Sequence, residues 1–184
     1  MKLTHFQLFS FSFDDDGVFR YYGVEGKNIL KSVPVIATFC TNPAIRNVRK
    51  LVGRLDTTQY KRFLEEVVAP AAMETPKKIQ VVHDRYPVHH ARAVLEWFAA
   101  NGEKIETLPW PGSFGDIMPL EKTWDDTIEH IRKRSQVIVS HDQLWKEIQQ
   151  VWEEMFDNQY VKDLVADIPR KLRAIIVNDG EMLS

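Results

Sequence analysis

The sequence has a single cysteine, Cys40, among its 184 residues. A disulfide within the chain and a multi-cysteine zinc site are thereby excluded, and a reducing, intracellular setting is the expectation. Long apolar runs are missing as well. Nothing approaches the roughly 20 residues that a membrane span needs, and Met1 to Phe13 lacks the basic start and apolar centre of a signal peptide. No charge of one sign dominates: 24 Lys and Arg stand against 26 Asp and Glu, for a formal charge of -2. Without a global positive field, any contact with nucleic acid has to be local. The chain also lacks a Gly/Ser- or Pro-rich linker and shows no repeat at periods of about 20–50 residues. What is present is a globular composition, 44% hydrophobic, 27% charged and 11% aromatic. The expectation is one domain over 1–184, with a core over 1–139 and a helical C-terminal extension over 140–184.

Periodicity gives the elements. Phe6, Leu8, Phe9, Phe11 and Phe13 open as a strand, Val18 to Tyr22 follows, and Asp14-Asp15-Asp16-Gly17 between them reads as a hairpin turn. With Val33 to Cys40 as the third strand, the opening reads as an antiparallel meander. From Asp56 the spacing becomes helical through Tyr60, Phe63, Leu64, Val67 and Val68, with Asp56 and Gln59 as an N-cap pair and an end near Pro70. Ile79 to Val82 is a short apolar strand closing on His83-Asp84. A helix with Ala91, Val94, Leu95 and Phe98 inward stops at Asn101-Gly102, and a strand over Lys104 to Leu108 follows. Pro119 begins the next helix, Ser140 and Gln143 cap another, and a last helical stretch ends at Asn178-Asp179-Gly180. Two short strands separated by a crossover helix call for a parallel pair. The predicted class is α/β: a ribonuclease-H-like (retroviral-integrase-like) mixed sheet flanked by helices, with the helical C-terminal extension.

Two acidic residues stand where an open sheet keeps its ligands. Asp84 closes a buried strand, and Glu121 lies in the first turn of a helix, whose N-terminus favours an ionised carboxylate. Carboxylates so placed suit a divalent ion such as Mg²⁺, and they equally suit a solvated, capping role.

The wording around them carries a resemblance. His83-Asp84-Arg85-Tyr86-Pro87-Val88-His89 resembles the Asp-Asn-Ala-Pro-x-His segment at the second catalytic aspartate of mariner-superfamily DDE transposases. Trp110-Pro111-Gly112-Ser113-Phe114-Gly115-Asp116-Ile117-Met118-Pro119-Leu120-Glu121-Lys122-Thr123-Trp124 resembles their Trp-Pro-x-x-Ser-Pro-Asp-Leu-Asn-Pro-Ile-Glu-x-x-Trp motif without a gap. The 36 residues between Asp84 and Glu121 are close to the family's interval. Gly53-Arg54-Leu55 with Tyr60, and Ile168-Pro169-Arg170-Lys171-Leu172 with Gly180, extend the likeness over nearly the whole chain. The resemblance implies Asp84 and Glu121 as catalytic and metal-binding residues, Mg or Mn as the ion if the site is active, and supporting roles for His89, Asp116 and Trp124. It also implies DNA as partner and residence in the nucleus.

The departures point the other way. The family's first aspartate aligns on Lys2, because Thr4-His5-Phe6-Gln7-Leu8-Phe9 matches the residues that follow it; a shifted alignment puts it at Ser10 or Phe11. None of the three is a carboxylate. The family's Asn becomes Arg85, its Ser-Pro becomes Phe114-Gly115, and a second Asn becomes Met118. Asp14, Asp15 and Asp16 read as a solvated turn rather than a substitute. His83, His89 and His90 could hold zinc, although capping or core-edge positions suit them better, and Cys40 reads as a small core residue. Arg85, Arg92, Lys122, Arg132, Lys133 and Arg134 are the candidate phosphate contacts, with a solvated face as the other reading. Trp145, Trp152 and Phe156 read as core, or as a face for a protein partner or self-association. Two functions follow: a transposase-derived domain that has lost strand transfer and binds nucleic acid or protein in chromatin or genome biology, or an active metal-dependent DDE-type endonuclease or transposase core. A single structural ion at Asp84 and Glu121 is a third possibility.

Overall fold

The computed structural model describes residues 7–11, 18–22, 29–40, 46–83, 85–109, 117–134 and 138–180. By internal contacts the chain forms two compact units, residues 1–19 with 33–112 and residues 20–32 with 113–184.

The sheet strands are β1 (Gln7–Phe11), β2 (Val18–Tyr22), β3 (Ile29–Phe39), β4 (Asn47–Lys50), β5 (Ile79–His83) and β6 (Ile105–Thr107). They run in the order β2-β3-β1-β5-β6, with β4 also pairing β3. β1 is antiparallel to β3, with Ser10 opposite Thr38, and parallel to β5, with Ser10 opposite His83. The parallel pair β5 and β6 aligns Val81 with Thr107. This is the predicted mixed sheet, and the helix between β5 and β6 is the crossover that parallel pairing requires. The opening is not a meander, however. Among the described residues β1 has β3 on one edge and β5 on the other, so no edge remains for β2, which joins β3 instead. The predicted turn over residues 14–17 lies outside the described residues. The run Arg46 to Lys50, read from sequence only as a basic cluster, contains β4. Its Lys and Arg side chains are the type that keeps a sheet margin from pairing further.

Helix α1 (Thr57–Phe63) starts as expected, with the Gln59 amide donating to Asp56 Oδ1 at 2.8 Å. The Gln59 side chain reaches back to the 52–54 turn, accepting from the Val52 amide and donating to the Arg54 carbonyl. Gly53 sits in that turn at φ +69°, where a Cβ would be strained. The helix does not end at Pro70. A π turn over Leu64–Val68, in which the Ala69 amide donates to the Leu64 carbonyl, leads into α2 (Ala69–Glu74). The wider turn comes where Pro70 offers no N–H and its ring would press on the carbonyl four residues back. Tyr60, Phe63, Leu64, Val67, Val68, Ala71 and Ala72 are buried along this rod, in one cluster with Ile79 and Val81 of β5 and Ile105 of β6. After a 3₁₀ turn (Pro87–His90), α3 (Arg92–Ala100) buries Val94, Trp97 and Phe98. Leu95, expected inside, is half exposed, because Trp97 completes the stripe of Val94 and Phe98 with more apolar surface.

The second unit contains α4 (Pro119–Lys133), α5 (His141–Met155) and α6 (Asn158–Val177). Pro119 stands at the first position of α4 and Ser140 Oγ accepts from the Gln143 amide, both as expected. Asp157 adds a cap that the sequence reading missed, accepting from the Tyr160 amide at 2.7 Å. α6 closes with Asp179 and Gly180 at positive φ and the Gly180 amide on the Ile175 carbonyl, a left-handed helix stop. Thr123 and Thr127 are buried on α4, each hydroxyl donating to the carbonyl four residues back. No helix among the described residues is long and apolar enough to cross a membrane.

Candidate catalytic site and nucleic-acid interface

In the first unit the site begins at the end of β5. The ladder with β1 brings Ser10 level with His83. Ser10 is one of the two positions that a shifted alignment assigns to the first carboxylate, and β1 carries Gln, Leu, Phe, Ser and Phe. Asp84, Lys2 and Asp116 lie outside the described residues, as does the acidic turn over 14–16.

His83 is buried, and its Nδ1 shares a 3.3 Å hydrogen bond with the Tyr60 hydroxyl, donor and acceptor being set by the imidazole tautomer. His89, delivered by the 3₁₀ turn that Pro87 opens, is 1% exposed. Its ring stacks on His83 at 5.0 Å and 1° and lies 4.5 Å from the Tyr60 ring. His90 is exposed and meets His83 edge-on. Stacked imidazoles present faces to each other and do not converge their nitrogens on a point. Among the described residues no group of three His, Cys, Asp or Glu could hold a metal ion. The stacked, buried rings of His83 and His89 sit at the edge of the core. His89 packs against His83 at the end of β5, and Cys40 is a buried core residue. Tyr60 was expected only as core; a buried hydroxyl needs a partner, but nothing in its spacing names His83.

In the second unit Glu121 is exposed in the first turn of α4, with its amide on the Met118 carbonyl. Trp124 is 2% exposed and packs 5.0 Å from Trp152, which stacks on Phe156. Trp124 thus anchors the helix that carries Glu121. Trp152 is core, as expected, while Trp145 and Phe156 are half-buried. A network absent from the sequence reading lies one turn further on: the Asp126 carboxylate accepts from Lys122 Nζ at 2.7 Å and from the Tyr160 hydroxyl at 2.7 Å. Burial, then the bond to Asp126, pushes the Tyr160 phenol well above its ordinary pKa.

The six basic candidates separate by environment. Arg85 and Arg132 are exposed. Arg92 pairs with Glu96, Lys122 with Asp126 and Lys133 with Glu129, all at helical spacing. The Arg92 and Lys133 pairs are exposed on both sides and open readily to a competing phosphate, whereas the Asp126 side chain is only 17% exposed. Arg134 differs. At the end of α4 its guanidinium donates to Glu147 Oε2 at 3.1 Å and also to Glu154, and the Glu147 side chain is only 10% exposed. Arg134 thereby ties α4 to α5 through two carboxylates. Of the two carboxylates expected to hold a metal, Glu121 lies among the described residues.

Comparison with known proteins accords with this geometry. The Tcb2 transposase of Caenorhabditis briggsae is 26% identical over 136 residues, covering 72% of this chain and 47% of the relative. The chain spans about half the length of the curated relatives it matches. Among solved structures, the catalytic domain of Mos1 mariner transposase superposes with a TM-score of 0.77 at 15% identity, covering 99% of this chain and 86% of that one. The same domain with Raltegravir and Mg gives 0.76 at 16% identity, covering 98% and 86%. The Mos1 paired-end complex with left transposon end gives 0.77 at 15% identity, covering 100% of this chain and 58% of that one. These likenesses establish the ribonuclease-H-like fold. Residues 21–144, more than half of the chain, match the DDE superfamily endonuclease family, and the chain belongs to it as a mariner-superfamily DDE catalytic domain.

Proposed function

We propose that this DDE domain has lost strand-transfer chemistry and serves as a binding module for nucleic acid or a protein partner in chromatin or genome biology, acting in the nucleus. The observation that carries the reading is the β1–β5 ladder, which sets a serine against the end of the strand leading to Asp84. A serine hydroxyl, neutral at physiological pH, does not replace a bridging carboxylate between two divalent ions. Arg85 in place of the family's Asn is exposed and adds a positive charge beside Asp84.

An active endonuclease is the second reading. The exposed Glu121 at the helix N-terminus favours it, since an ionised carboxylate is stabilised there and suits Mg or Mn, and the similar Mos1 catalytic domain is solved with Mg. Its third carboxylate would have to come from outside the described residues. Supercoiled plasmid incubated with the chain and Mn²⁺, beside Asp84→Ala, separates the two. Equal, background nicking by both is expected. Nicking by the parent that the variant lacks would sink the binding-module reading. Metal that raises the melting temperature without nicking would make the two carboxylates a structural ion site.

A further inference from the structure

The first unit has a groove of about 400 Å³ at α1 and the start of α3, lined by Thr57, Thr58, Lys61, Arg62, Glu65 and Ala93. Its cations are uncommitted: among the described residues neither Lys61 nor Arg62 forms an ion pair. Spacing does not explain this. Arg92 with Glu96 and Lys122 with Asp126 have the same order and interval as Lys61 with Glu65, and both close at 2.7 Å. Lys61 and Glu65 line the groove without joining. The site therefore offers an ammonium, a guanidinium and two hydroxyl donors. Ala93, with only a methyl group on the facing wall, leaves room for a ligand. A planar guanidinium beside an ammonium and hydroxyls matches the charge and acceptor oxygens of a phosphate group.

We propose that this groove binds the phosphodiester backbone of a nucleic-acid strand, with Lys61 and Arg62 pairing its phosphates and Thr57 and Thr58 donating to them. Glu65 lies at the same groove and repels phosphate, which keeps the strand on the Lys61 and Arg62 side. Free phosphate shares the chemistry, but the exposed Arg92 beside Ala93, held by Glu96 in an exposed pair that a phosphate can open, adds a further cation for a strand with several phosphates. The inference deepens the binding-module reading, and it fails separately from it, because plasmid nicking reports on Asp84 and not on the groove.

The test is fluorescence anisotropy of a labelled oligonucleotide duplex and its single strand against the whole chain, between about 50 and 200 mM salt. Lys61→Ala with Arg62→Ala is expected to weaken binding about tenfold and to reduce the salt slope by about two, one per phosphate contact. Lys77→Ala with Lys78→Ala, the same charge change at two other exposed positions, is expected to alter neither. The Lys61→Arg variant keeps affinity, and Ala93→Glu, a carboxylate on the wall, removes it with unchanged melting. Equal losses from both double variants, or no loss from the first, would overturn the proposal. So would displacement by millimolar inorganic phosphate at matched ionic strength, which would assign the groove to the free anion.

Discussion

Replacing Arg134 by alanine is the sharpest separation of architecture from binding within the run Arg132-Lys133-Arg134. The Arg134 and Glu147 side chains are 20% and 10% exposed, and their atoms meet at 3.1 Å. Removing the guanidinium strands a carboxylate that water hardly reaches. Breaking a fully buried pair costs about 3–5 kcal/mol; partial exposure here lowers the expectation to about 2–3 kcal/mol. For a chain of this size that corresponds to a fall in melting temperature of about 5–10 °C. Tryptophan fluorescence is the natural probe, since Trp124, Trp145 and Trp152 fall in the unit that contains the pair. Adding Glu147→Gln to the variant should restore about half of the loss, because a neutral amide is cheaper to leave without its partner. Arg132→Ala with Lys133→Ala should leave stability within about 0.5 kcal/mol. An Arg134→Ala protein that melts like the parent yet binds DNA more weakly would refute the reasoning and make Arg134 a phosphate contact rather than a tie.

Two further outcomes test the interior. Tyr160→Phe should cost about 1.5–2 kcal/mol at neutral pH, the worth of a hydrogen bond to a carboxylate. Because the folded pKa of Tyr160 is raised, its contribution is complete below the unfolded value near 10 and fades as pH climbs beyond it; alkaline denaturation of the variant should accordingly be shallower, and an unchanged slope would count against the raised phenol. His89→Ala should lower stability by about 2–4 kcal/mol in urea unfolding, with His89→Phe recovering at least half. Equal losses from the two would show that the imidazole nitrogens, rather than ring packing, hold the cluster.

Much of this was readable in advance where a side chain's role is local. Asp56, Ser140 and Pro119 announce helix starts by their own hydrogen bonding and geometry, and Ile79 to Val82 announces a buried strand by composition. The motifs around Asp84 and Glu121 identified the family. What escaped depends on distant partners. β4 has a single apolar residue, Val48, and becomes a strand because β3 offers it an edge. Pro70 reads as a stop, whereas a helix anchored by Val67, Val68, Ala71 and Ala72 widens by one residue and continues. Arg134 looks like its neighbours in sequence, and only the approach of α5 distinguishes it. Lys61 and Arg62 carry no local mark either, since their distinction is a pairing that does not form.

The placement of β1 bears on how the chain reaches its fold. Ser10 meets His83, more than seventy residues further along, so this pairing closes a far longer loop than the antiparallel pairing of Ser10 with Thr38. Contacts of such long sequence separation slow the search, because the loop must close before the pairing repays it. Until then the inner margins of β3 and β5 stand open to any extended segment, including one from another molecule. The opening strand is in this sense the central stave of the sheet, and its arrival closes both inner margins at once.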